Sequence, residues 1–172
     1  MSTKNTGPVA GEKHEAGGHP TNCAQLGVYA TEKALVDHFV NLLNVLPNPW
    51  GTVGTAREFF YQRGRTDVIA LADDGRVIAF EAKLTKWRHA LHQAYRNTCF
   101  AHSSYVLLPK DVAVNAQRYV AEFHLRGVGL CYFGDDDGVV VLVEANNLQP
   151  VEPWLSKQAA LEVGSEAMSG SK

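Results

Sequence analysis

Three charged side chains interrupt two apolar segments between residues 64 and 83. Asp67 directly precedes the run Val-Ile-Ala-Leu, and Glu81 and Lys83 follow the run Val-Ile-Ala-Phe. A charge is costly to bury unless a partner or an ion compensates it. Two carboxylates beside an ammonium group suit a hard divalent cation such as Mg²⁺, with the lysine close to a reacting water. This stretch therefore predicts a divalent-cation site.

A β-hairpin would bring these side chains together. Residues 72–76, Ala-Asp-Asp-Gly-Arg, separate the two runs, and Asp-Gly between alternating hydrophobic residues is a strong hairpin signal. Asp67, near the start of the first strand, should then lie opposite the end of the second. Side chains alternate faces along a strand, so Glu81 and Lys83 are expected on one face and Ala82 on the other. All three charged groups should converge at one end of the hairpin.

A helix is predicted before the hairpin, from about residue 29 to residue 46. Its apolar residues follow the i, i+3, i+4, i+7 spacing of one helix face, and Thr31 can cap its start. Glu32 falls on that apolar stripe and could reach a site on the sheet beneath the helix. A favourable charge at the helix N-terminus explains the same residue, so both interpretations stay open.

A second helix is predicted after the hairpin, from about residue 86 to residue 100. His89, Gln93 and Asn97 are spaced four residues apart and form a polar row on it. Gln93 should face either the sheet end that carries Lys83 or the solvent. The remaining predicted elements are strands at 55–61 and 104–108, a helix at 112–126, and a hairpin of 128–133 with 139–144.

Length and composition predict one globular domain. The chain has 172 residues, enough for one substantial core. We expect the domain at residues 28–154, with disordered, polar tails at 1–27 and 155–172. Three scattered cysteines and a polar N-terminus are typical of a reducing compartment, so a cytoplasmic location without a membrane partner is expected.

Charge is distributed unevenly along the sequence. The formal net charge of −2 does not indicate nucleic-acid binding, but residues 57–96 contain eight basic and five acidic side chains. If a cation neutralised Asp67 and Glu81, this region would be positive and would attract phosphate. A solvated face of mixed charge explains the same pattern.

The order of these elements and residues resembles the PD-(D/E)xK nuclease superfamily. The resemblance covers roughly residues 31–109, although Thr66 rather than proline precedes the first acid. It is carried by Asp67 as the first acid, Glu81-Ala82-Lys83 as the (D/E)xK element, Gln93 on the following helix, and Glu32 on the first helix. The implied fold class is α/β and restriction-endonuclease-like, with an αβββαβ core. A mixed central sheet would be flanked by helices and extended by a C-terminal helix and β-hairpin.

The resemblance also implies a site. The implied catalytic residues are Asp67, Glu81, Lys83 and Gln93. The implied ligands of Mg²⁺, or of Mn²⁺ as a substitute, are Glu32, Asp67, Glu81 and the carbonyl of Ala82. Phosphate contacts that position nucleic acid are expected from Arg65, Lys86 and Arg88.

The implied function is metal-dependent hydrolysis of phosphodiester bonds. The expected protein is a DNA endonuclease of DNA repair, recombination, or restriction and phage defence. Cutting both strands would need a homodimer, because one chain carries one site. One alternative is a catalytically inactive nuclease-like module that binds nucleic acid or a protein partner, and another is a subunit that needs a partner chain for activity. The sequence leaves open the choice between DNA and RNA and the shape of the substrate.

Overall fold

The computed structural model of this chain describes residues 29–62, 64–134 and 138–169. Its elements, in order, are α1 (Glu32–Val45), β1 (Thr52–Tyr61), β2 (Gly64–Ala72), β3 (Val77–Ala82), α2 (Trp87–Asn97), β4 (Ser103–Leu107), α3 (Lys110–Gln117), α4 (Val120–Arg126), β5 (Gly129–Gly134), β6 (Gly138–Val143) and α5 (Pro153–Ser169). The first six elements confirm the predicted αβββαβ core. The tail predicted at residues 1–27 lies outside the described residues.

The strands form one six-stranded mixed sheet in the order β1-β2-β3-β4-β5-β6. Strands β1, β2 and β3 are antiparallel neighbours, β3, β4 and β5 are parallel neighbours, and β5 and β6 are antiparallel. Each parallel step is crossed by helices, α2 in one case and α3 with α4 in the other, as a parallel connection requires. The predicted mixed sheet, its central hairpin and its final hairpin are therefore confirmed.

Strand alternation assigns the sheet's side chains to two faces. Val68, Phe80 and Ala82 pack with α1 on one face. Ile69 and Ala79 belong to a second cluster on the other face, which α5 and the residues just after α2 cover. Glu81 follows Phe80 in β3, so it faces away from α1 and toward α2.

Helix α1 begins where its sequence predicts. The side chain of Thr31 caps it by accepting a hydrogen bond from the backbone N–H of Ala34 at 3.1 Å. The helix ends at Val45, shortly before Pro47. Proline has no backbone N–H to donate to the preceding turn, so it does not continue an α-helix. Leu35, Phe39 and Leu43 are buried along its sheet-facing stripe. The first turn of α1, with Glu32, is thereby held near the end of β3.

The prediction of a disordered tail from residue 155 is wrong for the residues described, because α5 runs to Ser169. Leu155, Ala159 and Val163 are buried and spaced four residues apart, so they form one apolar row along the helix. The row is hard to recognise in the sequence because most residues around it are small or polar. The row packs close to β1: a Cβ at Gly54 would lie 2.8 Å from Cγ1 of Val163. The packed core therefore extends past residue 154.

The helix predicted at residues 112–126 is two helices, with a break at residues 118–119. Ala116 and Phe123 are buried, as one face of a single helix would require. Tyr119 would share that face, but its ring is about half exposed and lies against Trp87, with ring centroids 5.3 Å apart. The backbone leaves helical geometry at Tyr119 (φ −108°, ψ 31°), which turns this side chain outward.

The sequence predicts no membrane partner and cysteines typical of a reducing compartment. No helix among them has the length and hydropathy needed to span a bilayer. Cys99 and Cys131 are buried and form no disulfide within the described residues, and Cys23 lies outside them.

Candidate functional site

Asp67 is anchored where β2 and β3 end their regular pairing. That pairing runs from Leu71 opposite Val77 to Val68 opposite Phe80, so Asp67 is the next residue beyond it. The backbone N–H of Ala82 donates to Oδ2 of Asp67 at 2.9 Å. A side-chain oxygen thus accepts from the strand-end N–H and fixes the Asp67 carboxylate beside Glu81.

Glu81 is a fully buried carboxyl group, with 0 % of its surface exposed. Its Oε1 accepts a hydrogen bond from Nδ2 of Asn97 at 2.7 Å, while Oε2 is buried without a hydrogen-bond partner among the described residues. Burial, and then the negative charge of Asp67, raise the pKa of Glu81 to about 8. A cation at Oε2 would offset both effects, because it would stabilise the ionised form of Glu81 and pair with the charge of Asp67.

Asn97 lies at the centre of a buried hydrogen-bond network. Its Oδ1 accepts from the hydroxyls of Tyr61 at 2.6 Å and Thr66 at 2.9 Å. The sequence places Asn97 in the polar row of α2 but favours Gln93 as the residue that meets the site. Their spacing of four residues is a signal that both lie on one helix face, whereas the packing of α2 on the sheet decides which one reaches Glu81.

Gln93 lies one helical turn before Asn97 on α2 and is partly buried. Its Oε1 is buried and has no hydrogen-bond partner in the part of the chain that the structure describes. The amide therefore keeps free hydrogen-bonding capacity beneath the surface, and its catalytic role stays a prediction.

Lys83 and Glu32 form an ion pair at the end of the sheet. Nζ of Lys83 lies 2.9 Å from Oε2 of Glu32 and 3.0 Å from the carbonyl oxygen of Ala82. Helix α1 carries Glu32 and packs on the face opposite Glu81, so the prediction that Lys83 and Glu81 share one face is wrong for the ammonium group. Strand β3 ends at Ala82, so the long side chain that follows can turn toward α1. The Lys83 charge still acts on Glu81 and lowers its pKa, against the effect of burial.

Arg65 and Lys86, two of the three predicted phosphate contacts, remain accessible. The Arg65 guanidinium lies 2.9 Å from Glu58 and 3.8 Å from Oδ1 of Asp67. Lys86 is exposed just before α2 begins. Both cations are therefore in positions that solution phosphate can reach.

Arg88, the third, is engaged elsewhere. Its guanidinium binds the carboxylate of Glu122 at 2.8 Å and lies over the rings of Trp87 and Tyr119, 4.1 and 4.7 Å from their centroids. A carboxylate and two rings hold this cation against α4. A phosphate contact there would compete with Glu122.

Arg96, one of the eight basic residues within 57–96, was not among the predicted phosphate contacts. Its charge lowers the pKa of both Glu81 and Tyr61, which places it near the buried network. A Cβ at Gly64 would lie 3.9 Å from its guanidinium nitrogens. Arg96 directly precedes Asn97 in the sequence, but this position indicates a role at the site only once Asn97 is known to contact Glu81.

The donor atoms at the strand ends fit a magnesium-type ion better than a zinc-type ion. No group of three or more His, Cys, Asp and Glu side chains suited to a metal ion occurs within residues 29–62, 64–134 and 138–169. Mg²⁺ usually keeps several waters and takes only one or two protein carboxylates. Asp67, the carbonyl of Ala82 and Oε2 of Glu81, which has no partner within the described ranges, provide such a set, although Lys83 donates to that carbonyl.

Comparison with known proteins supports the fold. No protein-family model and no curated protein matches the sequence. A solved protein of unknown function from Silicibacter pomeroyi is similar in structure, with a TM-score of 0.51 and 17% identity over 69% of this chain and 76% of that chain. At this identity the likeness concerns the fold alone.

Two solved nucleases show weaker likeness. A repair endonuclease from Pyrococcus abyssi has a TM-score of 0.35 and 17% identity over 54% of this chain and 46% of that chain. An EndoMS complex with double-stranded DNA has a TM-score of 0.42 and 16% identity over 64% of this chain and 47% of that chain. The match thus covers about half the length of either nuclease.

Proposed function

We propose that this protein is a metal-dependent nuclease of the PD-(D/E)xK superfamily that hydrolyses phosphodiester bonds. The observation that carries the proposal is a fully buried Glu81 whose Oε2 has no partner among the described residues, beside Asp67 and within the field of Lys83. Buried acids left in this state are typical of functional sites. DNA is the proposed substrate, in repair, recombination, or restriction and phage defence.

Asp67 and Glu81 would hold Mg²⁺ or Mn²⁺, with the carbonyl of Ala82 and with Glu32 directly or through water. When bound, such an ion lowers the pKa of water and offsets charge on the phosphate. Glu81 must ionise to bind it, and the hydrogen bond from Asn97 favours that ionised form. Glu32 also keeps the Lys83 ammonium at the sheet end.

Lys83 would donate to the attacking water or to a phosphate oxygen and so offset developing negative charge. Gln93, whose amide oxygen has no hydrogen-bond partner in the described part of the chain, would orient that water. Arg65 and Lys86 would position the nucleic-acid backbone, and Arg96 adds positive charge that acts on Glu81. Arg88 would take part only after releasing Glu122.

A cleavage assay tests this proposal. Purified protein with Mg²⁺ or Mn²⁺ should nick or cut plasmid, branched or single-stranded DNA. Asp67→Ala and Lys83→Ala should lower the initial rate by about 100-fold or more. Asp73→Ala, an exposed acid in the hairpin turn, is the matched control and should retain wild-type activity. Equal cleavage by the wild type and both site variants would assign the activity to a contaminant or another site.

A second candidate function is a nuclease-like module that binds nucleic acid or a protein partner without cutting. The observation that favours it is the placement of the Lys83 ammonium on Glu32 and on the Ala82 carbonyl, two of the groups proposed for the ion. Titration with Mn²⁺ separates the two functions. DNA retardation on a gel without Mn²⁺ binding would support the module and count against the nuclease.

We also propose that a cutting enzyme acts as a homodimer. One chain carries one site, so breaking both strands of a duplex calls for two chains. Analytical ultracentrifugation with and without duplex DNA would test for the dimer. A protein that stays monomeric and still breaks both strands of a duplex in one binding event would contradict the proposal. The cytoplasmic location stays a prediction from cysteine usage.

A further inference from the structure

We infer that Asn97 is a positioning residue that holds Glu81 with one oxygen occupied and the other free for the cation, an inference that rests on the function proposed above. Nδ2 of Asn97 donates to Oε1 of Glu81 at 2.7 Å. Oε2 is left buried and without a partner among the described residues. Asn97 itself is fully buried, so its amide has no competing water at its surface.

The carbonyl end of the Asn97 amide faces two hydroxyl groups. Tyr61 and Thr66 both donate to Oδ1, at 2.6 and 2.9 Å. An asparagine amide has a carbonyl end that accepts and an NH₂ end that donates. Because the carbonyl end meets the two hydroxyls, the NH₂ end must face Glu81. Burial raises the pKa of Tyr61 to about 12, so its phenol stays protonated and remains a donor at neutral pH.

The network joins one helix to three strands. Tyr61 ends β1, Thr66 lies in β2, Glu81 lies in β3, and Asn97 is the last residue of α2. Thr66, Glu81 and Asn97 each have 0 % of their surface exposed. The position of Glu81 thus depends on how these four elements pack, and Asn97 is where they meet.

A positioning role and a purely structural role differ in what a substitution changes. Loss of a partner behind a metal ligand typically lowers metal affinity by about 10- to 100-fold. Loss of a buried asparagine that only ties the core lowers stability and leaves metal affinity unchanged. Both quantities must therefore be measured on each variant.

The chain contains a matched control in Asn48. Its amide also uses both ends: Nδ2 donates to the carbonyl of Leu43 at 3.3 Å, and Oδ1 accepts from the N–H groups of Trp50 and Thr52 at 3.2 Å each. This residue lies in the loop before β1, whose Thr52 pairs with Ala72 at the far end of β2 from Asp67. Asn48→Ala should lower the unfolding midpoint without changing ion binding.

The experiment is titration calorimetry of the full chain with Mn²⁺, with urea unfolding measured on the same samples. Asn97→Ala should bind Mn²⁺ about 10- to 100-fold more weakly than the wild type, and Asn48→Ala should bind with wild-type affinity. Equal Mn²⁺ affinity of the wild type and Asn97→Ala would overturn the positioning role and leave the nuclease proposal standing. A wild type that does not bind Mn²⁺ would overturn both.

A second pair of variants applies even if Asn97→Ala does not fold. Thr66→Val removes one hydroxyl donor at nearly constant shape, and Thr66→Ser keeps the hydroxyl. The valine variant should bind Mn²⁺ several-fold more weakly, and the serine variant should retain most of the wild-type affinity. Equal weakening in both would mean that the hydroxyl has no part in positioning, and the inference would fail.

Discussion

An acid two residues before a base occurs at both ends of the β2–β3 hairpin, with opposite outcomes. At the turn, Asp74 accepts from Nε of Arg76 at 2.6 Å and from its backbone N–H at 3.1 Å. These bonds to Arg76 hold the pKa of Asp74 below its usual value. At the open end, burial and Asp67 raise the pKa of Glu81 to about 8. The Lys83 ammonium, two residues on, binds Glu32 instead.

The difference lies in where each charge finds its partner. In the turn, solvent and a neighbour two residues away satisfy Asp74, so the pair needs nothing from the rest of the molecule. At the strand end, α1 supplies the partner of Lys83 and α2 supplies one partner of Glu81, which leaves one buried oxygen of Glu81 without a partner among the described residues. A motif of three residues therefore says little about function until its surroundings are known. An acid that is buried and incompletely paired is the better indicator.

The largest expected effect is a difference in DNA cleavage between substitutions of Glu81 and of Asp74. Glu81→Gln keeps the shape of the side chain and removes its charge, so ion binding and cleavage should both fall, with initial rates about 100-fold lower or more. Asp74→Asn, the same change at the turn, should cut DNA at the wild-type rate. A nicking assay with Mn²⁺ measures both, and equal losses in the two variants would remove the distinction between the hairpin ends.

The next effect distinguishes ion binding from chemistry at Lys83. Lys83→Met should keep both carboxylates and so retain stabilisation by Mn²⁺ while losing cleavage. Ion at about 100 times its dissociation constant adds ~2.7 kcal/mol to the free energy of unfolding. For a domain of this size, that corresponds to a rise of about 5–10 °C in the melting temperature.

Differential scanning fluorimetry measures the rise, with Arg76→Met as the matched control at the turn. Wild type, Lys83→Met and Arg76→Met should all show it, and Glu81→Gln should not. If Lys83→Met lost the rise as well, the lysine would be needed for ion binding, contrary to the role proposed for it.

A smaller effect is a pH dependence of stability in metal-free protein. The pKa of Glu81 is about 8 in the folded chain, whereas the ordinary pKa of a glutamate is 4.5. Between these two pH values the folded state therefore keeps a proton that the unfolded state releases. Its contribution to stability is complete below pH 4.5 and is lost as pH rises through 8. Urea unfolding from pH 5 to 9 should show the wild type losing stability relative to Glu81→Gln. Asp74→Asn should leave this pH dependence of stability unchanged. The pKa of Asp74 is lowered, so its carboxyl group titrates below the pH range of the experiment.

The smallest effect is expected for removal of the turn pair. Asp74 and Arg76 are linked to each other at the surface, and surface ion pairs contribute little to stability. Arg76→Ala removes this ion pair but keeps the backbone N–H that Asp74 accepts, so it should leave the midpoint of urea unfolding within experimental error of the wild type. A clear loss would show that the turn, too, depends on its charged pair, and the contrast with Glu81 would weaken.

Local signals were sufficient to predict most of the fold. The capped helix that begins after Thr31, the Asp-Gly turn of the hairpin and the edge strand before it all depend on residues close together in sequence. Helix α5 was missed because its buried row consists of Leu155, Ala159 and Val163 in a segment of mostly small and polar residues. Only the β1 surface beneath it shows that this row is a core face.

The sequence by itself determined which strands carry the acids and that Asp67 lies across the hairpin from Glu81, because turn chemistry and a period of two set that register. Only the tertiary structure decided the partners: Asn97 rather than Gln93 on Glu81, and Glu32 rather than Glu81 on Lys83. Those choices depend on how α1 and α2 lie across opposite faces of the sheet. Spacing along one element places a side chain on a face, but packing between elements decides which side chains touch.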